Sequence, residues 1–201
     1  MAHSLTDFKS RLSGGGARPN LFEVEISPGE LPDGLISELD GDTFKYLCKA
    51  AQLPASNVAS IDVPFRGRTF KVAGDRTFDT WTITIINDTD FSIRQTMEEW
   101  MQFVANYQEA SGGTTPDTYM ASAVVKQLGR LPSNVGNGEG NSRGEGLDVI
   151  AVYRFADIFP TNISAIDVSY DTTDTIEEFT VEFQVNYWYP ESKDGSSGNN
   201  A

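Results

Sequence analysis

Residues 61–107 read IDVPFRGRTFKVAGDRTFDTWTITIINDTDFSIRQTMEEWMQFVANY, and this stretch decides the fold. A strand over 59–64 turns at Arg66, Gly67 and Arg68 and returns as a strand over 69–72, the pattern of a projecting hairpin. A longer strand follows over 78–86, with Thr80, Thr82 and Thr84 on one face and Trp81, Ile83 and Ile85 on the other. Ser92 and Gln95 are spaced as a capping box that starts a helix. Beyond them Ile93, Met97, Trp100, Met101 and Val104 recur at helical spacing, while Arg94, Glu98, Glu99, Gln102 and Asn106 take the other faces.

Working outward toward the N-terminus, Phe22, Val24 and Ile26 alternate with Glu23 and Glu25, as in a half-buried strand. Residues 1–20 are expected to form a flexible arm. Gly14, Gly15 and Gly16 interrupt it, and Leu5, Phe8 and Leu12 fall on one short helical face. Residues 28–42 are turn-rich and acidic and read as a loop. The spacing predicts a short helix over 43–51 that Pro54 ends.

Toward the C-terminus, 109–118 is a polar loop. Residues 119–128 fit a strand or a helix, and the β-branched Val124 and Val125 favour the strand. Residues 132–146 are of low complexity. Strands are expected over 147–155 and 162–170, broken at Phe159 and Pro160. Residues 176–189, IEEFTVEFQVNYWY, alternate most cleanly: Glu178, Thr180, Glu182, Gln184 and Asn186 on one face, Phe179, Val181, Phe183, Val185 and Tyr187 on the other. The sum is a mainly β chain, an antiparallel sandwich or barrel-like domain over 21–190 with one packed helix. Residues 27–42 and 109–146 read as loop insertions and 191–201 as a flexible tail.

Charge narrows the function. A formal net charge of -14 opposes a general nucleic-acid-binding surface, which needs Lys and Arg to neutralise phosphate. It favours solubility and weakens binding to anionic membranes. Residues 1–16, MAHSLTDFKSRLSGGG, lack the apolar stretch of a secretory signal, and no apolar run reaches the length of a membrane helix. Cys48 is the single cysteine, so no intrachain disulfide is possible.

Catalytic residue sets are missing. His3 is the only histidine, and an N-terminal arm is a poor place for a preorganised base. A Cys/His zinc site has too few ligands, and no phosphate-binding glycine loop carries a lysine. Glu178 and Glu182 share a strand face, but lie roughly 13 Å apart at the usual strand rise, too far for either glycosidase geometry. Asp171, Asp174 and Glu177 lack the order of an EF-hand loop. Trp81, Trp100 and Trp188 read as core or interface anchors. No cofactor, metal site or enzymatic activity is expected. The tip arginines Arg66 and Arg68 fit a contact with an acidic neighbour, which a chain this acidic supplies in any complex with itself.

Four stretches carry a family resemblance. They are FKYLCKAAQLPAS (44–56), VPFRGRTFKVAGDRTFDTWTITIINDTDF (63–91), the helix that follows, and FADIFPTNISAIDVSYDTTDTIEEFTVEFQVNYWYP (155–190). Together they resemble the tail tube proteins of T4-type contractile bacteriophages. The resemblance implies a β-sandwich-like subunit with one helix. Six such subunits close into a ring whose inner sheets join as one barrel, and the rings stack into a tube that conducts DNA. It implies a virion protein assembled in the host cytoplasm. Its partners would be further copies of itself, the tail sheath protein, baseplate and tail-terminator proteins and a ruler protein, with DNA passing through the lumen without specific binding. On that reading Phe65, Arg66, Gly67, Arg68 and Phe70 are expected at the contact between rings. Thr80, Thr82, Thr84, Asp167, Ser169, Glu178, Glu182, Gln184 and Asn186 are expected to face the lumen. The alternatives are a ring subunit of a type VI secretion or pyocin-like tube and, more distantly, an acidic carbohydrate-binding β-sandwich.

Overall fold

The computed structural model describes residues 5–12, 16–29, 31–32, 39, 42–109, 111–113, 115–132 and 147–191. His3, much of the two expected insertions and nearly all of the expected tail lie outside them. The elements run α1 (Leu5–Arg11), β1 (Phe22–Ser27), α2 (Asp42–Leu47), β2 (Cys48–Ala51), β3 (Ser56–Phe65), β4 (Arg68–Phe78), β5 (Trp81–Ile86), α3 (Ser92–Val104), α4 (Pro116–Tyr119), β6 (Ala121–Pro132), β7 (Leu147–Ile163) and β8 (Glu178–Glu191).

Among the described residues six strands form one antiparallel, nearly closed barrel-like sheet in the order β1-β6-β7-β8-β5-β2, and β3 pairs only with β4. The core lies on one side of the six-stranded sheet. Val24, Ile26, Ala123, Val125, Trp81, Ile83, Ile85, Phe179, Val181, Phe183 and Val185 all point into it, as the period-2 patterns require. The Trp81 ring stacks on Phe155 at 4.6 Å between centroids and tilts against Phe183 at 5.4 Å. Helix α3 covers this face with Ile93, Met97 and Trp100, all buried. The Trp100 indole donates to the Tyr119 carbonyl at 2.8 Å. Thr96 is buried beside them and meets its hydrogen-bonding need by donating to the Ser92 carbonyl.

The long strands β7 and β8 keep one face inward by stepping together. Phe155 and Ile158 are both buried although two residues lie between them, a spacing that simple alternation would put on opposite faces. The step falls at Asp157, whose φ is 53°. Opposite it, Asn186 and Tyr187 both point outward between buried Val185 and half-buried Trp188. The β7–β8 register is unbroken here, and the extra residue of β7 is a bulge against β6, where Ala121 pairs with Ile158 and Ala123 with Phe155.

Several expectations are corrected. The helix predicted over 43–51 ends at Leu47, and Cys48–Ala51 is a strand paired with β5. The open edge of β5 gives these residues ladder bonds that outweigh a modest helix propensity. The strand predicted over 78–86 begins at Trp81. Phe78 closes β4, and Asp79, held by the Asn57 amide at 2.8 Å, makes the joint with Thr80. Ser92 does not cap α3. Phe91 holds that position at φ 56° with no side-chain cap, and Ser92 lies inside the helix. Residues 119–128 resolve to strand β6, preceded by the short α4.

β7 is not broken at Phe159 and Pro160. It runs through them, and Pro160 is buried opposite Phe183. The last residue of β7 paired toward β6 at this end is Ile158. Beyond it β7 has only β8 beside it among the described residues, so a proline without an N–H removes no ladder bond there on the other side. β7 then stops at Ile163, and the strand predicted over 162–170 is mostly a loop.

Candidate assembly surfaces

The β3–β4 hairpin stands outside the core. Every residue of β3 is exposed, and β4 is exposed except at Gly74 and Phe78. Its strands are about 30 Å long at the usual rise. The tip is a two-residue turn, with Phe65 paired to Arg68 and with Arg66 at φ 46° and Gly67 at φ 82°. Two positive φ values in succession define the type I′ turn, whose twist matches that of the strands. The Arg66 guanidinium lies 5.5 Å from the Phe65 ring centre. Near the root, β4 carries an extra residue at Gly74 and Asp75. A Cβ at Gly74 would meet the Ala59 carbonyl oxygen at 3.1 Å, so this bulge suits glycine.

Register divides the hairpin into two chemically different faces. Val63 opposes Phe70 and Ile61 opposes Val72, with Phe65 and Arg68 completing that face at the tip. The other face carries Ser60, Asp62, Pro64, Thr69 and Lys71, with the Lys71 ammonium 2.7 Å from Asp62. The apolar face has no partner among the described residues: Phe65 and Phe70 are each 66% exposed. An apolar stripe on a hairpin with no core beneath it marks a surface that another body covers. All five residues expected at an inter-ring contact lie at this tip. The sequence reading missed Ile61, Val63 and Val72, although the alternation in IDVPF and RTFKV already carries them.

The second surface is the outward face of β5 and β8. Thr82 pairs with Glu182 and Thr84 with Thr180. Glu178, Gln184 and Asn186 continue the row along β8, and Glu178 is ion-paired with Lys49. Six of the nine residues expected to line a lumen therefore share one face. The other three do not join it: Thr80 sits in the joint before β5, and Asp167 and Ser169 lie in the β7–β8 loop.

That loop, residues 164–177, is anchored at both ends. The Ser164 hydroxyl accepts from the Thr180 amide, Arg94 donates to the Ser164 carbonyl, and the Asn87 amide donates to the Glu177 carbonyl. Ile166 packs against the core, but Val168, Tyr170 and Ile176 project fully into solvent. Reading these residues as strand hid this second exposed apolar group.

A third region is an ion-pair network on the outer side of β1 and β6. Glu25 lies 2.7 Å from Lys126 and 3.1 Å from Lys45, with Glu23 and Asp42 each 3.7 Å from one of the two lysines. Burial pushes the Glu25 carboxyl up, but the two lysines outweigh it and hold the group below its ordinary range. The bond to Glu25 in turn raises Lys45. The pairing of Arg154 with Glu191 at 2.6 Å extends the charged outer surface.

Reactive chemistry is sparse. Cys48 is buried, and that burial pushes its thiol up to about 12, far from a reactive thiolate. Among the described residues no three His, Cys, Asp or Glu side chains gather as a metal site. No described helix is long and apolar enough to cross a membrane. The surface groove at the end of α3, lined by Glu99, Gln102, Phe103, Asn106 and residues 111–113, is wide open.

Comparison with known proteins places this architecture. A solved chain of an anti-feeding prophage baseplate superposes with a TM-score of 0.60 at 9% identity, covering 89% of this chain and 97% of the other. A chain of the sheath–tube complex of an extracellular contractile injection system gives 0.56 at 10% identity, covering 95% and 99%. These likenesses are of fold. In sequence, the chain is 34% identical over 176 residues to tail tube protein gp19 of Enterobacteria phage T4, covering 88% of this chain and 93% of the relative. It is 22% identical over 183 residues to the tail tube protein of Serratia phage KSP90, covering 90% and 93%. The family described as phage tail tube protein matches residues 17–191. The chain belongs to the phage tail tube protein family, as a structural component of a contractile-tailed virion.

Proposed function

We propose that this protein is the repeating unit of the inner tail tube, six copies closing into a ring and rings stacking into the conduit through which DNA leaves the virion. The observation that carries this reading is the exposed apolar face of the β3–β4 hairpin, built from Ile61, Val63, Phe65, Phe70 and Val72. In an isolated subunit that face stands in water, and a neighbouring copy would cover it. The hairpin tip, Phe65, Arg66, Gly67, Arg68 and Phe70, is assigned to contacts between rings. A contact between two different surfaces of identical subunits repeats without closing, which suits a tube.

The edges of the main sheet support lateral closure. β1 and β2 end the six-stranded order, and subunits joined side by side in a ring would cover the open edges that a free monomer exposes. The polar face of Thr82, Thr84, Glu178, Glu182, Gln184 and Asn186 is assigned to the lumen, where carboxylates would repel a passing polyphosphate. Sheath, baseplate, terminator and ruler proteins are the partners this role calls for. Assembly in the host cytoplasm, outside any secretory route, completes the reading.

The test is negative-stain electron microscopy and sedimentation across a concentration series. Rings whose mass is six subunits, passing into hollow tubes as concentration rises, are the expected result. A monomer at every concentration, with or without a baseplate fraction as nucleus, would overturn the reading.

A further inference from the structure

If the hairpin is one half of a repeating contact, the same molecule must carry the other half. We infer that the apolar face and basic tip of the β3–β4 hairpin of one copy dock on the β7–β8 loop, residues 164–177, of the next. This rests on the tail-tube reading above and names the surface that reading leaves open.

The first argument is chemical complementarity. β3 and β4 with their turn carry Arg66, Arg68, Lys71 and Arg76 against Asp62 and Asp75, an excess of positive charge in a chain whose net charge is -14. The loop carries Asp167, Asp171, Asp174 and Glu177 and no basic residue. Each surface mixes its charge with exposed apolar side chains: Ile61, Val63, Phe65, Phe70 and Val72 on the hairpin, Val168, Tyr170 and Ile176 on the loop. Apolar groups supply burial, and opposite charges fix the partner and orientation.

The second argument is position. Strand β8 links the two surfaces. Its first residue, Glu178, pairs with Ile86 beside the loop. Near its far end, the Trp188 indole donates to the Ala55 carbonyl at the hairpin root, and the Trp188 ring meets Phe78 at 6.3 Å. Glu178 and Trp188 are roughly 33 Å apart along the strand at the usual rise. Hairpin and loop therefore leave opposite ends of the β5–β8 ladder, the arrangement a head-to-tail contact requires. The loop's fixed ends and its half-buried Ile166 make it a formed surface rather than a free chain.

The experiment uses full-length protein and charge reversal. Arg66→Glu with Arg68→Glu makes a hairpin variant; Asp171→Lys with Asp174→Lys makes a loop variant. All four residues are exposed, so unchanged melting curves are expected for both. Each variant alone is expected to lower the pelletable tube fraction at least tenfold, and the four changes in one chain are expected to recover most of it. A photo-crosslinker replacing Phe70 should mark residues 164–177 of another copy in wild-type tubes. If wild-type tubes form while the loop variant assembles equally well, or the crosslink falls elsewhere, the pairing is wrong and the tube reading stands. If wild-type protein never assembles, both fall together.

Discussion

Trp100 shows how one side chain ties helix to sheet. Its ring is fully buried, lies 5.9 Å from Phe183 and donates to the Tyr119 carbonyl. Trp100→Phe keeps most of the apolar volume, removes that donor and leaves a void. The expected cost is about 2–3 kcal/mol in urea unfolding, and a loss under 1 kcal/mol would show that the indole bond contributes little. Glu25 makes a prediction in pH. Its carboxyl is held below the ordinary value of 4.5 by Lys126 and Lys45, so its contribution is complete above that value and fades as pH falls through the lower folded one. Glu25→Gln is expected to cost about 1 kcal/mol near neutral pH and to unfold with a shallower dependence below pH 4.5. The check is denaturant midpoints from pH 2 to 7. Parallel curves for the two proteins would remove Glu25 from the acid response.

Among the elements, the hairpin gives the sharpest test because it holds none of the core. Gly67 sits at φ 82° with open space where a Cβ would go. Valine there meets no neighbour but adopts a conformation that costs L-residues about 1–2 kcal/mol. Gly67→Val should therefore loosen the tip and shorten tubes seen by microscopy, while lowering the monomer's melting temperature by about 8 °C at most. Tubes of normal length would exclude the tip from assembly. The hairpin and β8 were legible in the sequence because alternation and turn chemistry are local signals. Three features were not. Cys48–Ala51 became a strand only because β5 had an edge to fill. Pro160 stays within β7 because β6 has already left its side. The β7–β8 loop hid its exposed Val168, Tyr170 and Ile176 within an alternation that resembles a strand. In each case a neighbour distant in sequence decides the outcome. The same limit split the expected lumen set: Thr82, Thr84, Glu178, Glu182, Gln184 and Asn186 share a face, while Thr80, Asp167 and Ser169 depended on strand ends that local pattern placed wrongly.

At the scale of the whole molecule, charge is distributed by role. Much of the positive charge outside the hairpin is already paired: Lys45 and Lys126 with Glu25, Lys49 with Glu178, Arg94 with Glu98 and Arg154 with Glu191. An acidic body with a basic hairpin favours contact with its own kind and disfavours nucleic acid. Glu178 and Glu182 make the lumen assignment testable. Replacing both with Lys in the phage leaves the core face of β8 untouched, since Phe179, Val181 and Phe183 point the other way. The Lys49 pair is lost, but exposed pairs of this kind contribute at most about 1 kcal/mol, so tubes should still form. Each ring would then present Lys in place of Glu at both positions to passing phosphates, and cations condense on DNA through the release of its counterions. Ejection should slow, and the slowing should shrink as salt is raised, because screening acts on this attraction and not on subunit packing. Intact tubes that eject at the wild-type rate at low salt would place these carboxylates away from the DNA path.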